Sequence, residues 1–403
     1  MRVRRDALKP TVLHVLECFA GGTERHLIDL VRHVEGFQHV AAVPASHHGR
    51  STRAAARRLE AAGARVERVE MGRSLAAHRH AGALLALRGV IRRTEPDIVH
   101  GHSSIGGALA RLATVGTSIP VLYTPHALSR SRWALAVERL LRGRTDRMIA
   151  VSESEREFAL RHRLAPEDRI VVIHNGIALT APAGPDEPLR TRLGVPAGVP
   201  LIGCVGRLSW QKAPEVFVAA CAQVAERLPE AHFVLIGAGL LRETVVRAAR
   251  EARLGERFHL IPSLPDAAAA LGELDVYALP SRFEGGPYTP LEAMRAGTPV
   301  VLTDVAGNRD VVHDGVDGLL VAPEDPAALA EAIVTLVEDP ALREAVVRSA
   351  KASVARFDVR SMARATAAVY RELCGEPPAR AAAAPGELRA RGRGQPAGRI
   401  VNV

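Results

Sequence analysis

Two periods alternate along this chain. Short apolar runs near residues 12–16, 40–43, 66–69, 98–100, 121–124, 148–151 and 170–173 are separated by longer segments whose apolar residues recur every three or four positions. Runs that are apolar on both faces are what a parallel sheet covered by helices requires, and the intervening period is that of the covering helices. From 175 to 200 the sequence NGIALTAPAGPDEPLRTRLGVPAGVP breaks the pattern with Pro and Gly and reads as a hinge. A second series follows near 201–205, 233–236, 258–260, 276–279, 299–302 and 318–321. The expected architecture is α/β, with two Rossmann-like parallel-sheet domains, 1–178 and 201–356, facing across a cleft and joined by a linker at 179–200. A last helix at 357–374 is expected to pack back across the domains, and 375–403, rich in Pro, Gly and Arg, to form a disordered basic tail.

Ligands of open parallel sheets gather at the carboxyl ends of the strands, so the strand exits carry the candidate chemistry. The first exit, AGGTERHL, enters a helix through Gly21 and Gly22 and presents free backbone N–H groups there, although two glycines in a tight turn are often only geometry. His100, His102 and His126 lie at or just past strand ends, where a hydrogen-bonded structural histidine is the commoner explanation. In the second series, GRLSWQK places Arg207 and Lys212 before a helix, as a bidentate clamp and a mobile point charge suited to a diphosphate. Surface salt-bridging is the bland alternative. Gly237 and Gly239, in IGAG, permit close backbone approach one strand further on.

The densest stretch is RFEGGPYTPLEAMRAGTPVV, residues 282–301. Glu284 leaves a strand-like run and is followed by Gly285 and Gly286, whose lack of a Cβ lets backbone approach a bound molecule. Thr289, Pro290 and Glu292 have the form of a capping box, with Thr289 as N-cap, which would explain Glu292 without any ligand. Asp310, in the turn after the next strand, is expected to fix that loop.

Composition narrows the partners. The chain has 403 residues, 47% hydrophobic and 24% charged, as in a soluble globular protein, and 3% aromatic residues are too few for a stacking platform on single-stranded nucleic acid. Cys18, Cys204, Cys221 and Cys374 form no C-x-x-C pair, so a reducing, cytoplasmic setting is expected and neither zinc nor disulfides are. Residues 1–180 carry 28 Lys+Arg against 17 Asp+Glu, whereas 181–374 carry 20 against 25, so the basic half is the first one. The start is basic and then apolar like a signal peptide, but His14 and Glu17 interrupt the run, which reads instead as a first strand. No stretch reaches the roughly 20 apolar residues that span a bilayer, so membrane attachment would be peripheral. RSRWALAVERLLRGR, residues 130–144, is the segment for it, set against the more ordinary reading of a sheet-packing helix with solvated arginines.

In their order along the chain, AGGTERHL, DIVHGHS, TPHA, IAVSESE, IHNGI, GRLSWQK, IGAG and SRFEGGPYTPLEAMRAGTPVV closely resemble the motifs of the retaining glycosyltransferases of group 1, family 4. The resemblance covers about residues 11 to 372 and implies the GT-B architecture, with a nucleotide-diphosphate sugar held mainly by the second domain and the acceptor by the first. By motif position Arg207 and Lys212 would hold the diphosphate, Glu292 the ribose hydroxyls and Glu284 the sugar hydroxyls. Gly22 would approach the phosphates from the opposite lip and His126 would contact the sugar near the reacting carbon. Gly21, Gly237, Gly285, Gly286, Tyr288 and Thr289 complete the implied donor set. The resemblance implies front-face attack with the diphosphate helping to remove the proton, with no metal and no cofactor beyond the co-substrate. Ala127 and Ala213 stand where glycine is frequent in the family. The implied activity is transfer of a hexose or N-acetylhexosamine from a UDP- or GDP-linked donor to a carbohydrate or lipid-linked acceptor in surface polysaccharide assembly. A sugar-nucleotide epimerase of the same architecture and a non-catalytic membrane- or nucleic-acid-binding protein are the competing readings.

Overall fold

The computed structural model describes residues 9–376 except 18, 20, 46–49, 73–76, 183, 185, 186, 265 and 266, and leaves the side chains of 50–52 and 77–80 undescribed. Cys18 and all but the first two residues of the expected tail at 375–403 therefore lie outside the described residues.

Every apolar run expected to be a strand is one. The first sheet holds β1 (Thr11–Leu16), β2 (Gln38–Pro44), β3 (Arg65–Val69), β4 (Ile98–His102), β5 (Val121–Thr124), β6 (Arg147–Ala150) and β7 (Ile170–Val172), in the order β3-β2-β1-β4-β5-β6-β7. The second holds β8 (Leu201–Val205), β9 (His232–Ile236), β10 (Phe258–Ile261), β11 (Val276–Leu279), β12 (Val300–Thr303) and β13 (Leu319–Val321), in the order β10-β9-β8-β11-β12-β13. All pairings between these strands are parallel. The strands are apolar on both faces because helices cover both. In the second sheet, Phe217, Val224, Leu329 and Ile333 pack on one side, and Leu291, Met294 and Phe357 on the other.

In each sheet the strand order reverses once, between β1 and β4 and between β8 and β11. The loops leaving those strands diverge and open a crevice at their carboxyl ends, where ligands of such sheets bind. Gly21 and Gly22 follow β1, Arg207 and Lys212 follow β8, and Glu284 follows β11, so both switch points hold the candidate residues.

The stretch from 175 to 200 is less free than its composition implies. Helix Leu189–Leu193 forms inside it, Leu189 and Val195 are buried in the second sheet's core, and the Glu273 carboxylate accepts from Leu189 N at 2.7 Å and Arg190 N at 2.9 Å. The last helix, Val359–Leu373, returns to the first sheet. Met362, Ala363, Ala367 and Tyr370 pack with Val12, Leu30, Phe37 and Ile98. The crossing point demands Gly176, where a Cβ would stand 2.6 Å from Val359 Cα.

The candidate active site

The helix leaving the Glu284 loop does not begin as the T-P-L-E spacing predicts. It runs Tyr288–Ala296 with Pro287, extended at φ −74° and ψ 134°, as N-cap. Proline at 287 presets the entry two residues early, so Thr289 is already inside the first turn. No side chain caps the helix, and its first N–H groups face the crevice without an intrahelical partner. Glu292 consequently sits one turn in, 7% exposed, and pairs with Arg25 of helix Gly22–His33 in the first half. A side-chain cap does occur elsewhere: Ser152 accepts from Glu155 N at 3.1 Å at the start of helix Glu153–Arg161.

Glu284 pairs with Lys212 at 2.5 Å, and both are largely buried. Lys212 reaches it because the loop after β8 is stitched to the loop after β11: Gln211 Nε2 donates to Phe283 O at 3.1 Å and Arg282 N to Gln211 O at 2.8 Å. Arg207 is exposed at the same edge, and its guanidinium makes no hydrogen bond or ion pair with a described residue. Gly237 and Gly239 have a packing role, since a Cβ would stand 1.8 Å from Gly206 O and 2.3 Å from Leu208 O respectively. What these glycines admit is the Arg207 loop itself.

The other lip is the uncapped start of helix Gly22–His33, with Gly21 at φ 66° as its N-cap. The two helix starts nearly touch: a Cβ on Gly22 would stand 3.3 Å from the Tyr288 ring, and Arg25 lies over that ring at 4.9 Å. Tyr288 Oη is 3.3 Å from His26 Nδ1. Gly285 and Gly286 serve the same junction. A Cβ on Gly285 would meet Ala127 N at 2.9 Å and His126 O at 3.0 Å, and Asn175 Nδ2 donates to Gly286 O at 2.7 Å. Asp310 holds its own loop through Gly307 N and also accepts from Ser154 N across the junction, both at 3.2 Å. Beside the junction a cavity of about 380 Å³, within the usual range of ligand pockets, is lined by Ala127, Glu155, Arg161, Phe283, Glu284 and Asp304 among others.

His126 and Ala127 both have positive φ, 60° and 126°, and Ala213 is left-handed at φ 48°, ψ 50°. The two alanines thus stand where backbone geometry favours glycine. Glu155, which the spacing of chemical groups along the chain did not single out, clamps the His126 loop. Its carboxyl accepts from Ala127 N and Val151 N, each at 2.8 Å, and burial pushes its pKa up to about 7. The S-x-x-E spacing of 152–155 is the signal that marks it. His14 and His39, also unmarked by motif, and His26 of AGGTERHL join His100, His102 and the half-buried His126 in one group, and burial lowers every one of their pKa values, that of His26 to about 4.

Among the described residues no helix is long and apolar enough to cross a membrane. Helix Arg132–Leu141 buries Leu135, Glu138 and Leu141 but leaves Trp133 and Leu140 81% and 82% exposed, beside the exposed Arg130, Arg132 and Arg139. It has an inward apolar face and a second, outward one.

Residues 20–181 match the family Glycosyltransferase Family 4 and residues 186–353 the family Glycosyl transferases group 1. The D-inositol 3-phosphate glycosyltransferase of Xylanimonas cellulosilytica is 32% identical over 323 residues, 73% of this chain and 76% of that protein. The UDP-Gal:alpha-D-GlcNAc-diphosphoundecaprenol alpha-1,3-galactosyltransferase of Escherichia coli is 30% identical over 64% of this chain and 71% of its own. Among solved structures, Anabaena HepE in complex with UDP and glucose superposes with a TM-score of 0.78 at 23% identity, over 90% of this chain and all of that one. WaaG, a glycosyltransferase involved in lipopolysaccharide biosynthesis, gives 0.70 at 16% identity over 89% of this chain and 99% of its own. With both halves matched in order and the two sheets in place, the chain belongs to glycosyltransferase family 4, the group 1 glycosyl transferases, and has the GT-B fold.

Proposed function

We propose that this glycosyltransferase moves a hexose or N-acetylhexosamine, with retention, from a UDP- or GDP-linked donor to a carbohydrate or lipid-linked acceptor in surface polysaccharide assembly. The observation that carries the reading is the convergence, at the two sheet switch points, of Arg207, the Lys212–Glu284 pair and two uncapped helix starts. Breaking an anomeric C–O bond to a diphosphate builds negative charge on the leaving group. Arg207, Lys212 and the amides opening helix Tyr288–Ala296 are positioned to stabilise that charge. With these groups meeting the charge, turnover is expected without an added metal ion. A UDP-linked donor is supported by the names of the galactosyltransferase relative and of the HepE complex.

In this reading donor binding exchanges partners. The diphosphate takes Lys212 from Glu284, which turns to the sugar hydroxyls, and the ribose takes Glu292 from Arg25. His126, half-exposed beside Gly285, faces the sugar from the first half. The outward face of helix Arg132–Leu141 rests on the anionic inner surface of the membrane, where a lipid-linked acceptor is met.

The test is nucleoside diphosphate release with donor and acceptor together. Lys212→Ala and Glu284→Ala are each expected to lower the rate by about 100-fold or more and, by leaving the partner charge unpaired, to lower the thermal unfolding midpoint while the chain still folds at the assay temperature. Undiminished release by both variants would refute the site. A new sugar nucleotide formed from donor alone would show an epimerase instead.

A further inference from the structure

Four of the grouped histidines lie on or beside adjacent strands and form a diagonal file, from His39 near the amino end of β2 through His14 in β1 to His102 at the carboxyl end of β4 and His126 past the end of β5. His39 Nε2 is 3.2 Å from Val34 O, His39 Nδ1 is 3.0 Å from His14 Nε2, His14 Nδ1 is 3.1 Å from His102 Nε2, and His102 Nδ1 is 3.2 Å from His126 Nε2. A carbonyl oxygen has no proton to give, so the first contact settles the rest. His39 donates through Nε2 to Val34 O. A neutral imidazole has one N–H and one lone pair, so His39 Nδ1 accepts from His14 Nε2, His14 Nδ1 from His102 Nε2, and His102 Nδ1 from His126 Nε2. Burial lowers the pKa of each ring and so favours the neutral forms that this one-way order requires. His126 is left with its proton on Nε2 and a lone pair on Nδ1, to which no described residue bonds.

We propose that this file is a tautomer lock: His39, His14 and His102 hold His126 in the Nε2–H form, so that its Nδ1 lone pair accepts a hydrogen bond from a hydroxyl of the sugar bound in the cleft. The sugar contact rests on the donor-site reading given above; the lock itself does not. His102, His14 and His39 are positioning residues, acting through His126 from as far away as β2. His26 stands outside the file. Asn175 Nδ2 is committed to Gly286 O, so Asn175 Oδ1 accepts from His26 Nδ1 at 3.1 Å, and His26 meets the His126 ring edge to face, with centroids 4.5 Å apart.

The same rings group as two candidate metal triads, His14 with His100 and His102, and His26 with His102 and His126. Both nitrogens of His14 and of His102 are used within the file, and His100 is engaged by Tyr370 Oη at 2.7 Å and Thr124 Oγ1 at 2.8 Å. Neither triad has three free lone pairs, and an ion would have to break the file to bind.

The experiment is side-chain nitrogen NMR of the full chain labelled with nitrogen-15 histidine, without ligand, with the His126 signals identified by their loss in His126→Gln. The lock predicts His126, His102, His14 and His39 as Nε2–H tautomers at neutral pH. His39→Leu removes the anchor and is expected to bring in the Nδ1–H form of His126 and lower kcat/KM by about tenfold, the loss of one hydrogen bond. His39→Gln, whose amide can donate to Val34 O and accept from His14, is expected to restore both. Finding His126 in the Nδ1–H or charged form in the wild type would overturn the proposal, and so would stoichiometric perturbation of these signals by zinc ion. A failure of the donor reading is distinguishable, because it appears as absent nucleotide binding with the tautomers unchanged.

Discussion

At the scale of single residues, two glutamates at the junction are each committed to a cation, and donor binding as proposed would have to release both. Glu284 holds Lys212 and Glu292 holds Arg25, each a charge that would otherwise be poorly solvated. Ala127 and Ala213 show the converse, a residue at odds with its backbone. A non-glycine residue at such φ values costs on the order of 1–3 kcal/mol, of which glycine returns roughly 0.5–1 through the freer unfolded chain. Ala213 is fully buried and its methyl packs, so the cleaner test is half-exposed Ala127. Ala127→Gly is expected to raise unfolding free energy by about 1 kcal/mol, measured by urea titration, and a loss of that size would mean the loop carries no strain.

At the scale of elements, the strands and their exits are legible along the chain because a strand covered on both faces needs an unbroken apolar run. The start of helix Tyr288–Ala296 departs from its sequence pattern for a local reason: T-P-L-E satisfies the capping pattern, but Pro287 has already set the entry. Glu155 is the reverse case: it has capping-box spacing, but its carboxyl clamps Val151 N and a loop from another strand instead of closing the box, which no spacing announces. The glycines after Glu284 were legible as close approach, yet the body they approach, the His126 loop, is set only by how the two sheets meet. Helix Arg132–Leu141 shows its second apolar face only once Leu135 and Leu141 are seen to point inward. It is expected to sediment with anionic vesicles at low salt, less so at high salt, and not after Trp133→Ser with Leu140→Ser. Absence of wild-type binding at low salt would remove the membrane contact.

At the scale of the whole molecule, the histidine file depends on the strand order β2-β1-β4-β5 and on a register in which residues 39, 14, 102 and 126 step diagonally, two positions further along at each strand. The linear pattern gives each strand but not its neighbours, so it marks His100, His102 and His126 one at a time, His14 only as a strand's polar interruption and His39 not at all. The group also sets the pH response. Its folded pKa values lie below the unfolded value near 6.5, so as pH falls the unfolded chain takes up protons that the folded one refuses. Stability is therefore complete above about pH 6.5 and is lost on acidification, by about 1.4 kcal/mol per pH unit for each fully buried histidine, down to about pH 4 for His26. Glu155 has the opposite sign: raised to about 7, its contribution is present below its unfolded value and lost as pH rises through 7. One carboxyl is outnumbered by the four histidines that are at most 2% exposed, so urea midpoints are expected to fall from pH 7.5 to pH 5.5. A flat or rising profile would mean the cluster is charged in the folded state.

The central claim is that the two switch points together form a nucleoside-diphosphate site, and ligand-induced thermal stabilisation tests it most directly. UDP or GDP at about a hundredfold excess over its Kd is expected to stabilise the wild type by about 2.7 kcal/mol, read as a rise in the unfolding midpoint, and Lys212→Ala to lose most of that rise at the same concentration. No rise with any nucleoside diphosphate, or an equal rise in Lys212→Ala, would contradict the account.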